Sequence, residues 1–124
     1  MRDFMLIFEG GDPDWAETMP PEQMGAVMQE WGAWFAELEK SGNVRNPGAA
    51  LEYTGVTLAV RGDDLVTDAL SVELKELIGG YSVIQAETIE QATEIAKGCP
   101  HLRGGPDARI QIRPVFMPSV DPES

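Results

Sequence analysis

The chain has 124 residues, of which 43% are hydrophobic and 24% are charged. A chain of this length and composition is typical of a single folded domain, residues 1–124, that builds its own core without disulfides or metals. Its 9 basic and 21 acidic side chains give a formal net charge of −12, which repels phosphate backbones and anionic lipid surfaces. The sequence therefore predicts that neither nucleic acid nor a membrane is a partner.

Two further features indicate a cytoplasmic location. Cys99 is the single cysteine and cannot form an internal disulfide, as is usual in a reducing compartment. The sequence also has neither a basic start followed by an apolar run nor an apolar span of about 18 residues. No signal for secretion or membrane insertion is therefore expected.

The N-terminal part of the chain predicts a strand followed by a long helix. Residues 4–8 are apolar at every position and too few for a helix, which is typical of a central strand buried on both faces. Residues 12–20 carry prolines and polar side chains and are expected to be irregular. A helix is predicted from Pro21 to the stop at Lys40-Ser41-Gly42, because apolar residues recur at steps of three or four. These residues are Met24, Val27, Met28, Trp31, Phe35 and Leu38.

The middle of the chain predicts a loop, a hairpin and a strand. Residues 43–53 are rich in Gly, Ala and Asn and are expected to form a loop. Two short runs, 56–61 and 65–67, are joined by Gly62-Asp63-Asp64 and predict a β-hairpin. Residues 81–86 then predict another strand.

The C-terminal part predicts a second helix and a last strand. Thr88 stands three residues before Gln91, which is the spacing of a capping box, and the helix that follows is expected to end near Gly98. Residues 109–116 alternate between polar and apolar side chains, so they predict a strand with one buried face. Pro114 places that strand at the edge of its sheet.

The order of these elements is typical of an α+β, ferredoxin-like βαββαβ fold. It predicts a four-stranded antiparallel sheet with both helices on one face, plus a short hairpin extension. Both faces of the strand at residues 4–8 are apolar, and at ~25 cal/mol per Å² a face left in water would forfeit several kcal/mol. We therefore expect the helix-free face to pack on a second copy, giving a homodimer. Residues 117–124 are expected to form a loose tail or an arm.

The segments "VTDALSVELKELIGGYSVIQAET" (66–88) and "CPHLRGGPDARIQIRPV" (99–115) resemble the YCII-related proteins, specifically the DGPF-domain branch named for its Asp-Gly-Pro-Phe motif. The likeness joins Thr-Asp, Glu-x-Lys-Glu, Gly-Gly-Tyr and Arg-Pro-Val in that order and extends from Phe4 to Val115. It implies a dimeric α/β barrel of two ferredoxin-like units, with a cavity at or near the packed sheets. It implies less about chemistry, because the family is mostly uncharacterised, with a few members similar to lactone- or haloaromatic-processing enzymes.

The chain departs from the family pattern at two places. Where the branch has Asp-Gly-Pro-Phe, this chain has Asp68-Ala69-Leu70-Ser71, which keeps the acid and loses the turn-forming residues and the aromatic ring. The acid–base pair proposed for the wider family uses a histidine near the start of the first helix, where this chain has Glu22-Gln23-Met24. That pair therefore lacks its histidine here.

Charged side chains around the altered motif are candidate site residues. Asp68 and Glu73 are candidate bases, because a carboxylate at the rim of an apolar cavity is suited to proton abstraction. Lys75 is a candidate ligand-binding residue. The alternative is that Glu73, Lys75 and Glu76 form a solvated helical turn with ion pairs of ~0.5 kcal/mol.

Two further residues are candidates to assist such a base. His101 is the single histidine and lies in a loop after the second helix, where it either exchanges protons with a ligand or simply faces water. Tyr81 opens a strand, and its hydroxyl either points into the cavity or packs in the core with a solvated tip. Gly79-Gly80, before it, is interpreted as a turn with positive φ angles.

The last strand supplies a candidate anion site. Arg109, Gln111 and Arg113 share one of its faces, and on a buried sheet face guanidinium groups need a carboxylate or an anionic ligand. Arg113 is therefore a candidate ligand-binding residue, unless this face is exposed at the sheet edge. No metal or other cofactor is expected, because the chain has no second histidine and no cysteine cluster.

Three hypotheses about function follow. In the first, a YCII-like dimeric barrel binds a small organic molecule, acidic or aromatic, and catalyses proton transfer or elimination, with Asp68 or Glu73 as base and His101 or Tyr81 assisting. The second is a non-catalytic ligand-binding or protein-interaction module with a degenerate active site. The third is a structural homodimer.

Overall fold

A computed structural model of the chain describes residues 1–70, 77–105 and 107–117. Its elements are β1 (Arg2–Glu9), α1 (Trp15–Thr18), α2 (Pro21–Lys40), β2 (Val44–Ala50), β3 (Val56–Arg61), β4 (Asp64–Ala69), β5 (Ile78–Ala86), α3 (Ile89–Lys97) and β6 (Arg109–Pro114), with a 3-10 turn at Pro100–Arg103. Four strands form an antiparallel sheet in the order β2-β5-β1-β6, and β3 pairs with β4 in a separate hairpin. The fold is therefore the predicted α+β, ferredoxin-like arrangement with a hairpin extension.

The core lies between the sheet and the two longer helices. Phe4, Leu6 and Phe8 of β1 are 0–6% exposed, while Met5 and Ile7 point to the opposite face and are half-buried. The first three pack in one cluster with residues from α2, β5, α3 and the segment after it: Leu38, Ile84, Ala86, Ala92, Ala96 and Cys99. Both helices thus cover the same face, and β1 is central in the sheet, as predicted.

The predicted helix boundaries are confirmed. α2 begins at Pro21 and ends at Lys40, as its apolar spacing indicates. The cap of α3 also forms, because the Thr88 hydroxyl accepts the main-chain N–H of Gln91 at 3.1 Å. In return, the Gln91 side-chain oxygen accepts the main-chain N–H of Glu87 at 2.6 Å. β6 lies at a sheet edge, where Pro114 removes no hydrogen bond from an inner strand.

The prediction of a loop at residues 43–53 is wrong, because β2 lies there and forms the other edge of the sheet. Its pairing with β5 shifts register on both sides of Asn46, so no alternating pattern marks it as a strand. Residues 12–20 are likewise not irregular throughout, since they contain the single-turn helix α1.

The interpretation of Gly79-Gly80 as a turn is also wrong. Both residues lie inside β5, and neither has a positive φ angle. A Cβ at Gly80 would lie 2.8 Å from the carbonyl oxygen of Ala49 on β2. Glycine is therefore needed here because two strands approach closely.

The helix-free face of the sheet carries a mixture of apolar and polar side chains. Met5 and Ile7 of β1 share it with Arg109, Gln111 and Arg113 of β6, whose intervening isoleucines pack against the core. Among the described residues, no helix is both long and apolar enough to cross a membrane.

Candidate ligand-binding site

A cleft of about 870 Å³ lies between α2 and the helix-covered face of the sheet, near the end of β1. Cavities that bind small organic molecules have volumes of roughly 300–1,000 Å³. The cleft is also bordered by the loop after β1, by β2 and β5, and by the 3-10 turn. Six aromatic or imidazole side chains belong to its lining residues: Phe8, Trp15, Trp31, Phe35, Tyr53 and His101.

The position of α2 explains why a cleft exists. The helix is fully buried only at Leu38, near its C-terminal end. Trp34 ties this half of the helix to α3 by donating its indole N–H to the carbonyl oxygen of Ile95 at 3.3 Å. Toward the N-terminus, Val27 and Trp31 are only half-buried and line the cleft, although the Trp31 ring still reaches Phe8 of β1.

Aromatic rings make one wall of the cleft apolar. The Trp31 ring meets Phe8 edge to face, with centroids 5.4 Å apart, and Phe35 lies 5.9 Å from Trp31 on the same helix. Such arrangements of rings are favourable and restrict side-chain movement. The wall therefore offers a fixed apolar surface to the body of an organic molecule.

His101 projects from the 3-10 turn onto the end of β1. Its Nε2 lies 2.8 Å from the carbonyl oxygen of Glu9, and its ring centroid lies 5.3 Å from that of Phe8. A carbonyl oxygen only accepts hydrogen bonds, so Nε2 must carry the proton of this bond. In the neutral imidazole, Nδ1 then holds a lone pair, and within the described residues it makes no side-chain hydrogen bond.

Tyr53 adds a hydroxyl group to the cleft. Burial, and then the negative charge of Asp12, raise the pKa of Tyr53 above 10.0, so the phenol keeps its proton at neutral pH. Its oxygen lies 3.5 Å from the carbonyl oxygen of Gly10. Tyr53 is therefore a hydrogen-bond donor at the same end of the cleft as the loop after β1.

The candidate residues from the sequence do not all converge. His101 lines the cleft. Tyr81 borders it only with its main chain, because its side chain points with that of Ile7 to the helix-free face. Asp68 does not line the cleft: it lies on β4, is exposed, and its carboxylate is 3.6 Å from the guanidinium of Arg61 on the same hairpin. Arg113 is exposed on the helix-free face, opposite Met5. Glu73 and Lys75 lie outside the described residues.

Several cleft residues were missed by sequence reasoning. Tyr53 lies in the segment predicted to be a loop, and Trp15 lies in the one predicted to be irregular. Glu30 and Arg103 were absent from the candidates, although Arg103 stands two residues after His101 in the same short segment. That proximity to the single histidine was the one local signal available for Arg103.

The chain forms a ferredoxin-like unit with a cleft between the sheet and α2, which establishes its class of fold. Comparison with known proteins then establishes its family. The YCII-related domain matches residues 4–116. This match covers most of the chain, so the protein belongs to the YCII-related family. The DGPF-domain branch stays a prediction. Among curated proteins, none matches the chain.

Proposed function

We propose that the protein binds a small organic molecule in the cleft and transfers a proton from it to His101. The orientation of the His101 ring carries this proposal. Its Nε2–H is engaged by the Glu9 carbonyl, so Nδ1 is the nitrogen left to act as a base beside an apolar wall. The YCII-related fold is compatible with this function but specifies no reaction.

The proton transfer has a simple balance. A C–H or O–H bond of the ligand breaks, its electron pair stays on the ligand, and an N–H bond forms at Nδ1. The ring then carries a positive charge, which strengthens the hydrogen bond from Nε2 to the Glu9 carbonyl. The protonated Tyr53 hydroxyl can exchange its long bond to the Gly10 carbonyl, 3.5 Å, for a hydrogen bond to charge that develops on the ligand. Asp68 and Glu73 as bases stay predictions.

The test separates binding from proton transfer. A panel of small carboxylic acids, phenols and lactones is screened by thermal shift, and each ligand found is then incubated in D2O, where NMR measures exchange of its acidic hydrogen. We expect His101→Gln to retain binding but to lose the exchange. Asp68→Asn tests the alternative base, and since Asp68 does not line the cleft it should retain both. Exchange at the wild-type rate in His101→Gln, or no ligand in the panel, would overturn the proposal.

We also propose that a second copy covers the helix-free face. A shallow apolar depression of about 250 Å³ on this face is lined by Met5, Ile7, Leu51, Ile78 and Tyr81. Covering it removes apolar surface from water, which favours association. We expect Ile7→Asp to shift the protein to monomers in sedimentation experiments, whereas Thr57→Asp on the hairpin should not. A monomeric wild type would contradict this. We place the protein in the cytoplasm, where the buried free thiol of Cys99 stays reduced.

A second candidate function is a protein-interaction module, and the hairpin favours it. Val56, Leu58, Val60 and Leu65 lie on one face of β3 and β4 and are 64–70% exposed. A two-stranded hairpin with such a face gains stability when it is covered. If Leu58→Ser with Leu65→Ser leaves the sedimentation profile and solubility unchanged, the hairpin face has no interaction role in the dimer.

A further inference from the structure

The rim of the cleft is bridged by one ion pair. The Arg103 guanidinium, on the 3-10 turn, donates a hydrogen bond from Nη2 to Oε2 of Glu30 on α2 at 3.0 Å. Both residues line the cleft, and their side chains are 59% and 52% exposed. The pair therefore connects the two sides of the opening while remaining in contact with water.

This pair is easily exchanged. An ion pair that is exposed on both sides is worth only ~0–1 kcal/mol, because water screens it and two long side chains must be held in place. Arg103 is the only lysine or arginine among the described residues that line the cleft. Its planar guanidinium presents paired N–H donors, which match the two oxygens of a carboxylate.

Both carboxylates among the described residues of the cleft have a hydrogen-bond partner, and only Glu30 is paired with a cation. Glu30 is paired with Arg103, and Asp12 accepts the main-chain N–H of Asp14 at 2.9 Å. An organic cation would have to compete with Arg103 for Glu30. A carboxylate ligand instead takes the place of the Glu30 carboxylate beside the Arg103 guanidinium. Glu30 is exposed and is then solvated by water. Since the chain carries a net charge of −12, the attraction must come from this local contact and not from the field of the whole protein.

We propose that the ligand of the cleft is an organic monocarboxylate whose carboxylate replaces Glu30 on Arg103. This inference rests on the proposed function and adds the ligand class and the role of two residues to it. The apolar body of the ligand lies along Phe8 and Trp31, and its far end reaches toward His101. Glu30 is thus an internal competitor that sets the affinity, and Arg103 is the residue that recognises the carboxylate.

The test uses two probes that differ only in charge, 3-phenylpropanoate and its neutral amide, titrated by calorimetry or NMR. Glu30→Gln removes the competitor, so the carboxylate should bind up to about fivefold more tightly, which is ~1 kcal/mol at 1.4 kcal/mol per tenfold. In the Glu30→Gln background, where no competitor remains, Arg103→Gln should weaken the carboxylate by up to about fivefold. The amide should bind all three proteins equally.

A matched control removes the same kind of ion pair elsewhere. Glu94 and Lys97 form an exposed pair at 2.7 Å on α3, and Glu94→Gln should leave both affinities unchanged. Equal binding of carboxylate and amide, unaffected by Glu30→Gln and Arg103→Gln, would overturn this inference and leave the cleft function standing. The inference would also be overturned if 3-phenylpropylammonium bound the wild type more tightly than 3-phenylpropanoate and this preference were lost in Glu30→Gln. Failure of every probe, and of the whole panel of acids, phenols and lactones, to bind the wild type would overturn the proposed function as well.

Discussion

The His101 side chain lies against the main chain of Glu9, with 2.8 Å between Nε2 of His101 and the carbonyl oxygen of Glu9. The carboxylate of Glu9 points away from this contact, toward the helix-free face. There it accepts hydrogen bonds from Arg109 at 3.2 Å and from Gln111 at 2.8 Å. Glu9, the last residue of β1, therefore links the cleft on one face of the sheet to β6 on the other.

The first prediction concerns the carboxylate of Glu9, which is only 5% exposed as a residue. We expect Glu9→Ala to lower the free energy of unfolding by ~1–3 kcal/mol, because Arg109 and Gln111 both lose their acceptor. Glu9→Gln keeps an oxygen acceptor and should cost less. Chemical denaturation of both variants measures the difference, and equal stability of Glu9→Ala and the wild type would show that these bonds contribute nothing.

The second prediction concerns the contribution of His101 to stability. We expect His101→Ala to lower the free energy of unfolding by ~1–2 kcal/mol, because it removes the hydrogen bond to Glu9 and the ring contact with Phe8. Leu102→Ala serves as a neighbouring control, since Leu102 is exposed. A smaller loss in His101→Ala than in this control would contradict the packing described here.

The third prediction concerns two glycines, each of which has a left-handed backbone conformation. Gly48 has φ of +78° and Gly42 has φ of +76°, so alanine is strained by ~1 kcal/mol at either position. A Cβ at Gly48 would also collide with the carbonyl oxygen of Tyr81. One at Gly42 would have no atom of the described residues within 4 Å apart from those of its chain neighbours. We expect Gly48→Ala to be clearly the more destabilising in thermal unfolding. Equal effects would contradict the pairing of β2 with β5.

The fourth prediction concerns the pH dependence of stability. Burial raises the pKa of the Cys99 thiol to about 11 from its ordinary 9.0, opposed by a hydrogen bond from the His101 main chain and by the charge of Arg103. Below pH 9 the thiol is protonated in both the folded and unfolded states. Between about pH 9 and 11 it ionises in the unfolded state alone, so stability falls as pH rises.

This contribution is isolated by comparison with Cys99→Ala. The stability of the wild type relative to the variant, measured by denaturation from pH 8 to 11, should be constant up to pH 9 and decrease above it. A constant difference across the whole range would contradict the burial of the thiol.

The elements that sequence analysis found are those with a local pattern. The apolar run of β1, the spacing along α2 and the cap at Thr88 each depend on residues a few positions apart, and each was found in the structure. β2 has no such pattern, because the shifts around Asn46 and the Gly48 conformation break its alternation. β2 joins the sheet because it pairs with β5, and the residues of β2 alone give no sign of that distant partner.

The candidate site was harder to predict for the same reason. His101 was identified as a residue, but its partner Glu9 lies 92 positions earlier in the chain. Glu30 and Arg103 are likewise far apart in sequence and meet because α2 passes the 3-10 turn. Asp68 is a candidate because a carboxylate at the rim of an apolar cavity is suited to proton abstraction, but it lies on the hairpin and does not line the cleft.

The most direct test of the cleft function is 15N NMR of the His101 imidazole, which is free of overlap because the chain has one histidine. At a pH where the ring is neutral, we predict a protonated Nε2 and an unprotonated Nδ1, and a change at Nδ1 when a cleft ligand is added. Shifts averaged over the two tautomers, unchanged by every ligand that binds, would contradict the role of His101 as the base.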